Sequence, residues 1–405
     1  VSSSAASDVY KRQALRLRKK LDRFHPLQGR LDVEKISSVP IREFFHAPQK
    51  MEVAEDRVEG KRRFSLNQLR AFLECPLQSG AKRSLSITEE EEDLTRRIHE
   101  PVSLEPLDEW QLLQKTFDLG ILNTSEPDWN VLYEQMLHSN LFEGALPASL
   151  FEDAMRRKHL EILTAWERHL RELLQGMDWN GIQKASRKYL HGALQEKHPF
   201  LILGKDSPGF RDIVRFEPVL NLNQEKEAKA AVTIRGESEW IFFGPGEACN
   251  LVHFTSRSIR PKQWIRLFLN GVLLTASGLL PERTKVQLSC ISGERSLSKD
   301  FLLPDRLTCR DYLVRLTDEM MDPSSAELFP LEAVLALEPD QISSEKWPQR
   351  LEQWLEEAFE NSRSSFSSQY GPLPFPEDSK RPDDPKGTME KRFGLLFQTI
   401  GNPAN

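Results

Sequence analysis

The strongest constraint on the fold comes from a series of short apolar segments between residues 216 and 292. Each is rich in β-branched and aromatic residues and is bounded by glycine, proline or polar residues, which is typical of β-strands. In order, they are FEPVLNL, AAVTIRG, EWIFFG, NLVHFTS and TKVQLSCIS. A helical pattern, RPKQWIRLFLNGVLLTASGLL, separates the last two, and CRDYLVRLTDEMM and SEKWPQRLEQWLEEAFENS follow with similar spacing. The order predicts an α/β fold, with helices covering the faces of a mixed sheet.

The preceding interval, residues 64–200, has the apolar spacing of helices and is predicted to be a helical region. Its first helix, FSLNQLRAFLECPL, has Ser65 as N-cap and ends at Pro76. One face of this helix is apolar and consists of Leu66, Leu69, Phe72 and Leu73. A second helix, EPLDEWQLLQKTFDLG, aligns Trp110, Leu113 and Phe117.

A long third helix follows a capping-box pattern formed by Ser149 and Glu152. The residues that it directs toward a core are Met155, Leu163, Trp166, Leu170 and Leu173. His159 and His169 lie ten residues apart in it, without an acidic partner at ligand spacing. We therefore expect both histidines to be surface residues rather than metal ligands.

The two ends of the chain have little apolar periodicity. Residues 1–13, VSSSAASDVYKRQ, resemble translated adapter sequence and are expected to be a non-native tail, so that the chain is the tail of a longer protein. Residues 14–63 are charged and interrupted by prolines, which predicts a connector from an upstream domain. Residues 366–405 are predicted to be a proline-rich loop and a C-terminal segment, in which MEKRFGLLFQTI forms a short helix.

Composition excludes several classes of protein. The four cysteines, Cys75, Cys249, Cys290 and Cys309, are isolated, which argues against a disulfide framework or a CxxC metal site and fits the reducing cytoplasm. A net charge of −6 does not indicate a globally basic nucleic-acid binder. No apolar run approaches the length of a membrane helix, and no Walker A motif occurs.

The stretch WIFFGPGEACNLVHFTSR predicts a hairpin, because two apolar runs flank a turn that contains Gly244 and Gly246. This hairpin, the strand order and the following helix are similar to the core of metal-dependent nucleases of the PD-(D/E)xK type. The resemblance implies that residues 201–365 form a nuclease-like α/β domain. In that pattern one strand presents an acid and the next presents D/E-x-K, and both acids hold Mg²⁺.

When this pattern is laid on the chain, Glu239 takes the place of the first acid, His253 that of the second, and Thr255 that of the lysine. Imidazole suits Zn²⁺ better than Mg²⁺, and a threonine hydroxyl cannot supply the lysine charge. We therefore interpret the active site as degenerate, with no catalytic or metal-binding residue. Gln263 keeps part of the motif in the next helix, whereas Phe268 offers no hydroxyl.

The individual residues leave alternatives open. Glu239 is either a metal ligand or a carboxylate at a strand edge that faces water, and the second interpretation is favoured. His253 is expected to be a packed or hydrogen-bonded strand residue. The cations at the hairpin exit either contact a DNA phosphate or form a solvated turn; they are Arg257, Arg260 and Lys262.

Four segments, taken together, resemble the exodeoxyribonuclease V gamma subunit, the RecC family. They are FHPLQGR from Phe24, FSLNQLRAFLECPLQ from Phe64, EPVSLEPLDEWQLLQKTF from Glu100, and EGALPASLFEDAM near Gly144. The chain departs from the family where Gly29 and Arg30 replace Pro-Phe, and where LQSGAKRSLSI replaces an aromatic-rich continuation.

The resemblance implies a non-catalytic gamma subunit of a heterotrimeric helicase-nuclease that processes double-strand DNA ends in recombinational repair. Its partners would be a beta (RecB-like) and an alpha (RecD-like) subunit. The gamma subunit would guide the separated single strands and recognise a regulatory DNA sequence. It would carry no cofactor, since Mg²⁺ and ATP belong to the partner subunits. Helicase-like domains would precede residues 14–63, and the complex would be cytoplasmic.

Two alternatives remain. The first is the nuclease subunit of the two-subunit AddAB type, which carries a D-x-K site and a cysteine set for an iron-sulfur cluster; the four isolated cysteines argue against it. The second is a purely structural interaction module, which the amphipathic region from Ser149 to Leu174 would serve.

Overall fold

The computed structural model describes residues 62–84, 104, 106–123, 126–137, 150–192, 208–222, 232–244, 249–327 and 382–400. The predicted tail, the connector up to residue 61, and the predicted helix SEKWPQRLEQWLEEAFENS lie outside these residues. So do Ser149 of the predicted capping box and the turn residue Gly246.

The described strands form one nine-stranded sheet in the order β1-β5-β2-β6-β7-β8-β9, with β3 paired to β2 and β4 to β5. The bounds are β1 Arg62–Ser65, β2 Ser186–His191, β3 Val214–Glu217, β4 Leu220–Asn221, β5 Val232–Glu237, β6 Trp240–Phe243, β7 Cys249–Phe254, β8 Lys285–Ile291 and β9 Ser296–Leu302. The β6–β7 and β8–β9 pairs are antiparallel, whereas β7 and β8 are parallel. The predicted mixed α/β sheet is therefore confirmed.

Helices cover both faces of this sheet. They are α1 Leu66–Glu74, α2 Pro76–Ser84, α3 Pro106–Leu122, α4 Trp129–Leu137, α5 Leu150–Leu173, α6 Trp179–Ala185, α7 Pro208–Ile213, α8 Pro261–Ala276, α9 Arg306–Met321 and α10 Pro385–Ile400. One hydrophobic core lies on the face with α1, α8, α9 and α10, and a second lies on the face with α3 to α7. Along β7, Leu251 belongs to the first core and Val252 to the second. Both faces of the strand are buried, so its sequence is a nearly continuous apolar run.

Local signals define α1 as the sequence predicts. Ser65 Oγ accepts a hydrogen bond from Gln68 N at 3.1 Å, and Ser65 N donates to Gln68 Oε1 at 2.7 Å, which completes a capping box. All four predicted core residues of α1 are buried, and the helix ends at Glu74, before Pro76. The helix predicted near the C-terminus is also present as α10, and it buries Arg392 against Glu319 of α9 at 2.8 Å.

The prediction of a helical region over residues 64–200 missed two strands, β2 within it and β1 at its start. β1 pairs with β5, and β2 lies in the interior of the sheet between β5 and β6. The sequence of β2, SRKYLH, does not look like that of a buried strand, because Lys188 in its middle is charged; in the structure this residue is only 3% exposed. Helices α3 to α6 share their core with Trp240 and Phe242 of β6, so the described part of the helical region does not form a core of its own.

No helix among the described residues is both long enough and apolar enough to cross a lipid bilayer.

Candidate functional site

The predicted hairpin is formed by β6 and β7. The antiparallel register pairs Trp240 with Val252 and Phe243 with Cys249. Glu239 immediately precedes β6 and His253 lies near the end of β7, so both stand at the open end of the hairpin. Their side chains meet, with Glu239 Oε2 3.2 Å from His253 Nδ1.

Glu239 is not the water-facing carboxylate that the sequence favoured. It is 6% exposed, because α8 crosses this face of the sheet and covers the strand end. Glu239 Oε1 accepts a hydrogen bond from Arg266 Nε, and Glu239 N donates to Asn270 Oδ1 at 3.0 Å. Both carboxylate oxygens and the backbone amide are thus engaged by α8 and β7, which makes Glu239 an internal ionic residue.

The charges in this cluster follow from burial and pairing. Burial alone would raise the pKa of Glu239, but the guanidinium of Arg266, and then His253, hold it well below its usual range. Burial lowers the pKa of His253. An ionised carboxylate only accepts hydrogen bonds, so the neutral imidazole donates its Nδ1–H to Glu239. His253 is therefore a hydrogen-bonded strand residue, as the sequence predicts.

Arg266 is the residue that sequence reasoning missed. Its guanidinium carbon lies 5.4 Å from the centroid of the Trp110 ring. Trp110, on α3, donates its Nε1–H to the carbonyl of Phe254, the last residue of β7, at 3.3 Å. Since α3 and α8 cover opposite faces of the sheet, this stack passes around the end of β7. Arg266 is clamped between a carboxylate and an indole while its side chain remains 28% exposed.

Thr255 follows β7 directly and is 5% exposed. Thr255 Oγ1 accepts a hydrogen bond from Arg257 N at 3.3 Å, and Thr255 O accepts one from Trp166 Nε1 at 3.2 Å. These bonds fix the turn that leads away from the strand. The hydroxyl of Thr255 therefore binds a backbone amide. It supplies no positive charge at the position where the nuclease pattern has lysine.

A divalent metal does not fit this set of donors. Mg²⁺ is held by oxygen ligands, in enzymes usually one or two carboxylates together with waters and substrate phosphates. Here the single carboxylate, Glu239, already binds the cationic Arg266 and the N–H of His253. Of the residues that the structure describes, no three His, Cys, Asp or Glu side chains form a group that could hold a metal ion. The guanidinium provides the positive charge that a metal would supply beside this carboxylate.

The predicted cations lie where the chain leaves the hairpin. Arg257, Arg260 and Lys262 are all exposed, on the loop after β7 and the first turn of α8. Arg260 N donates to Gln263 Oε1, and Gln263 N donates to Arg260 O at 3.1 Å, so Gln263 caps α8. Phe268 is fully buried beside Phe301 and Tyr312. Contact of the three cations with DNA stays a prediction.

A second ionic cluster lies on the opposite face of the sheet and was also missed. Lys188 Nζ lies 3.1 Å from Asp118 Oδ2 and 2.6 Å from Glu237 Oε1, and 5.1 Å from the centroid of the Trp240 ring. Asp118 also accepts hydrogen bonds from Trp240 Nε1 and, at 2.9 Å, from Gln114 Nε2. Burial alone would lower the pKa of Lys188, but the two carboxylates raise it above its usual range.

The prediction that His159 and His169 lie at the surface is wrong. His159 is 1% exposed, with Nδ1 2.9 Å from the hydroxyl of Tyr133 and Nε2 3.2 Å from Glu109 Oε1. His169 is also buried, and its Nδ1 lies 3.2 Å from Glu172 Oε2. The carboxylate partner of His159 comes from α3, fifty residues away in sequence, so spacing within α5 could not reveal it.

Comparison with known proteins identifies the family. The model of the RecC C-terminal domain matches residues 61–361, about three quarters of the chain. The comparison with curated proteins gave no match. The matched interval begins one residue before β1 and contains the β6–β7 hairpin, α8 and both ionic clusters. The chain therefore belongs to the RecC family, and residues 61–361 correspond to the C-terminal domain of that family.

Proposed function

We propose that this chain is part of a non-catalytic gamma subunit of exodeoxyribonuclease V. In the assembled enzyme it works with beta (RecB-like) and alpha (RecD-like) subunits on double-strand DNA ends during recombinational repair. It guides the separated single strands and takes part in recognition of a regulatory DNA sequence. Magnesium and ATP are used by the partner subunits, and the complex acts in the cytoplasm. Membership of the RecC family supports this assignment.

The observation that carries the proposal is the ion pair between Glu239 and Arg266. A nuclease of the PD-(D/E)xK type needs a free carboxylate pair to bind Mg²⁺ and a lysine beside it. In this chain one carboxylate is neutralised internally, and His253 and Thr255 occupy the other positions. Such a centre cannot assemble the metal-bound water that phosphodiester hydrolysis requires.

The order of elements supports a nuclease-like ancestry for this region. The β6–β7 hairpin leads into α8, and β8 then pairs in parallel with β7, forming a β-α-β crossover. This arrangement is similar to the PD-(D/E)xK core. The domain is proposed to keep the nuclease framework as a surface that binds partners or a strand.

The competing nuclease assignment of the AddAB type is disfavoured by the cysteines. All four cysteines are buried and none of them forms a disulfide. Cys249 lies on β7, Cys290 on β8 and Cys309 on α9, and Cys75 follows α1. An iron-sulfur cluster needs four thiolates converging on one centre. Burial raises the pKa of Cys249 to about 12, which opposes thiolate formation at that position.

Cleavage by the reconstituted complex tests the proposal. The full-length parent is assembled with both partner subunits, the nuclease site of the beta subunit is disabled, and Mg²⁺-dependent cleavage of linear DNA is compared for wild type and Glu239→Ala. We expect background cleavage from both, while the complex with an intact beta subunit degrades the DNA. A more than tenfold loss caused by Glu239→Ala would refute the non-catalytic assignment. A complex that assembles but engages no DNA end would favour the structural interaction module.

A further inference from the structure

The guanidinium of Arg266 is held in place by only part of its hydrogen-bonding capacity. Nε donates to Glu239, and one face packs on the indole of Trp110. Neither terminal nitrogen, Nη1 or Nη2, has a hydrogen-bond partner among the residues that the structure describes. The side chain is 28% exposed, so these N–H donors can meet a ligand from solution.

Two other cations, Arg70 and Lys262, belong to the electrostatic surroundings of Arg266. Arg70 and Lys262 act electrostatically on the carboxyl of Glu74 together with Arg266, and Arg70 lies 3.3 Å from Glu74. Both carboxylate oxygens of Glu239 are engaged, one by Nε of Arg266 and the other by His253. The terminal nitrogens of Arg266 are therefore left for an external acceptor, and an anion is the natural ligand.

We propose that Arg266, positioned by Glu239 and Trp110, binds a phosphodiester group of a single DNA strand at the open end of the β6–β7 hairpin. The proposal rests on the strand-guiding role assigned above. Glu239 acts as a positioning residue here: it fixes the guanidinium through Nε and leaves the two terminal nitrogens to form a fork. The site binds a strand at the position where a nuclease would cut it.

The chemistry favours arginine at this position. A planar guanidinium can place two parallel N–H donors on two phosphate oxygens, whereas an ammonium acts as a point charge. Fixing the guanidinium before binding reduces the entropy that the contact costs. The exposed Arg257, Arg260 and Lys262 lie on the segment that leads into the helix of Arg266, where they can contact neighbouring phosphates.

The test measures binding of a fluorescent oligothymidylate to the full chain by anisotropy at several salt concentrations. The key variant is the double substitution Glu239→Gln with Arg266→Gln, which removes the cation without leaving a buried carboxylate unpaired. The double variant leaves the net charge of the chain unchanged. Arg315→Gln, at an exposed position on α9, removes one positive charge outside the site and shows how much a lost surface cation alone weakens binding. Thermal unfolding followed by circular dichroism verifies that each variant is folded.

We expect the double variant to bind about tenfold more weakly, as for the loss of one charge-assisted hydrogen-bonded contact. The slope of log affinity against log salt should fall by about 0.7, the value for one phosphate of a single strand. Glu239→Gln alone should keep the wild-type slope but weaken binding, because the cation remains while its guanidinium is no longer fixed. Arg266→Lys should also keep the slope with reduced affinity. A folded double variant with the wild-type slope and affinity would overturn the proposal.

Two further measurements are made. One distinguishes a DNA strand from a free anion as the ligand, and the other distinguishes failure of the phosphate site from failure of the gamma-subunit function. Inorganic phosphate is added at matched ionic strength; if it raises the melting temperature only when Arg266 is present and no strand binds, the site takes a free anion and the strand assignment fails. Co-purification with the partner subunits and processing of DNA ends are measured in parallel on the full-length parent. If assembly and processing persist in the double variant with unchanged strand binding, the phosphate site is wrong while the gamma-subunit function stands.

Discussion

The two ionic clusters lie on opposite faces of one sheet and differ in how completely their charges are satisfied. Lys188 is buried between the carboxylates of Asp118 and Glu237 and over an indole ring. Arg266 has one carboxylate partner, Glu239, and keeps part of its guanidinium in solvent. We call the cluster of Lys188, Asp118 and Glu237 the closed cluster and that of Arg266, Glu239 and His253 the open cluster. The closed cluster suits a structural role, whereas the open cluster combines a buried ion pair with N–H donors available for binding. The clusters are adjacent in sequence as well as across the sheet: the neighbouring residues Glu239 and Trp240 point to opposite faces and belong to different clusters.

Breaking the closed cluster should have the largest effect on stability. Lys188→Met leaves Asp118 buried and unpaired, and removal of one partner of a buried ion pair costs about 3–5 kcal/mol. Urea unfolding followed by circular dichroism measures the loss. The matched control is Lys184→Met, at an exposed position on the adjacent helix α6, which should change the free energy of unfolding by less than about 0.5 kcal/mol.

A second substitution tests whether the unpaired charge of Asp118 causes the loss of stability in Lys188→Met. Adding Asp118→Asn to Lys188→Met removes the unpaired charge and should restore more than half of the lost stability. If Lys188→Met alone costs no more than the Lys184→Met control, the cluster contributes nothing to stability and the comparison between the two faces fails.

The two clusters also show which features a sequence can reveal. The N-cap Ser65 of α1 and the β6–β7 hairpin were predicted correctly, because the residues that form them are close in the chain. Lys188 and Asp118 are separated by 70 positions, so neither residue signals its partner and β2 was read as part of a helical region. Glu239 was recognised as a site position, but its environment was not, because that depends on where α8 crosses the sheet.

The open cluster should respond asymmetrically to loss of its two charges. Arg266→Gln leaves the buried carboxylate of Glu239 with only His253, and we expect it to lower the free energy of unfolding by about 3 kcal/mol. Glu239→Gln leaves a cation that water can reach, and the loss should be about 1–2 kcal/mol. Urea unfolding at pH 7 ranks the two variants, and equal or reversed losses would contradict the difference in burial.

Lowering the pH should reduce the difference in free energy of unfolding between wild type and Arg266→Gln. The folded pKa of Glu239 is depressed below its unfolded value of 4.5, so its ionisation stabilises the wild type above that pH. This stabilisation declines as pH falls below 4.5 toward the folded pKa. In Arg266→Gln, one positive charge fewer opposes the effect of burial on the pKa of Glu239, so this carboxyl takes up a proton at higher pH than in the wild type. The gap between wild type and variant should therefore shrink by about half or more between pH 7 and pH 4; a constant gap would show that the lost stability comes from packing.

The smallest effect on stability is expected at the exposed cations. Replacement of Arg257, Arg260 and Lys262 together by Gln should change the free energy of unfolding by less than about 0.5 kcal/mol, because none of these side chains is buried. If all three contact phosphates of a single strand, the salt slope of binding should fall by about 2. If they form only a solvated turn, the slope will not change, and anisotropy titrations with the oligothymidylate at several salt concentrations separate the two cases. Combination with the Glu239→Gln, Arg266→Gln pair then asks whether the open cluster and the surface cations serve one strand. Additive losses of slope, with stability changed only by the Arg266 substitution, would mean that the fixed guanidinium positions the strand while the exposed surface cations attract it.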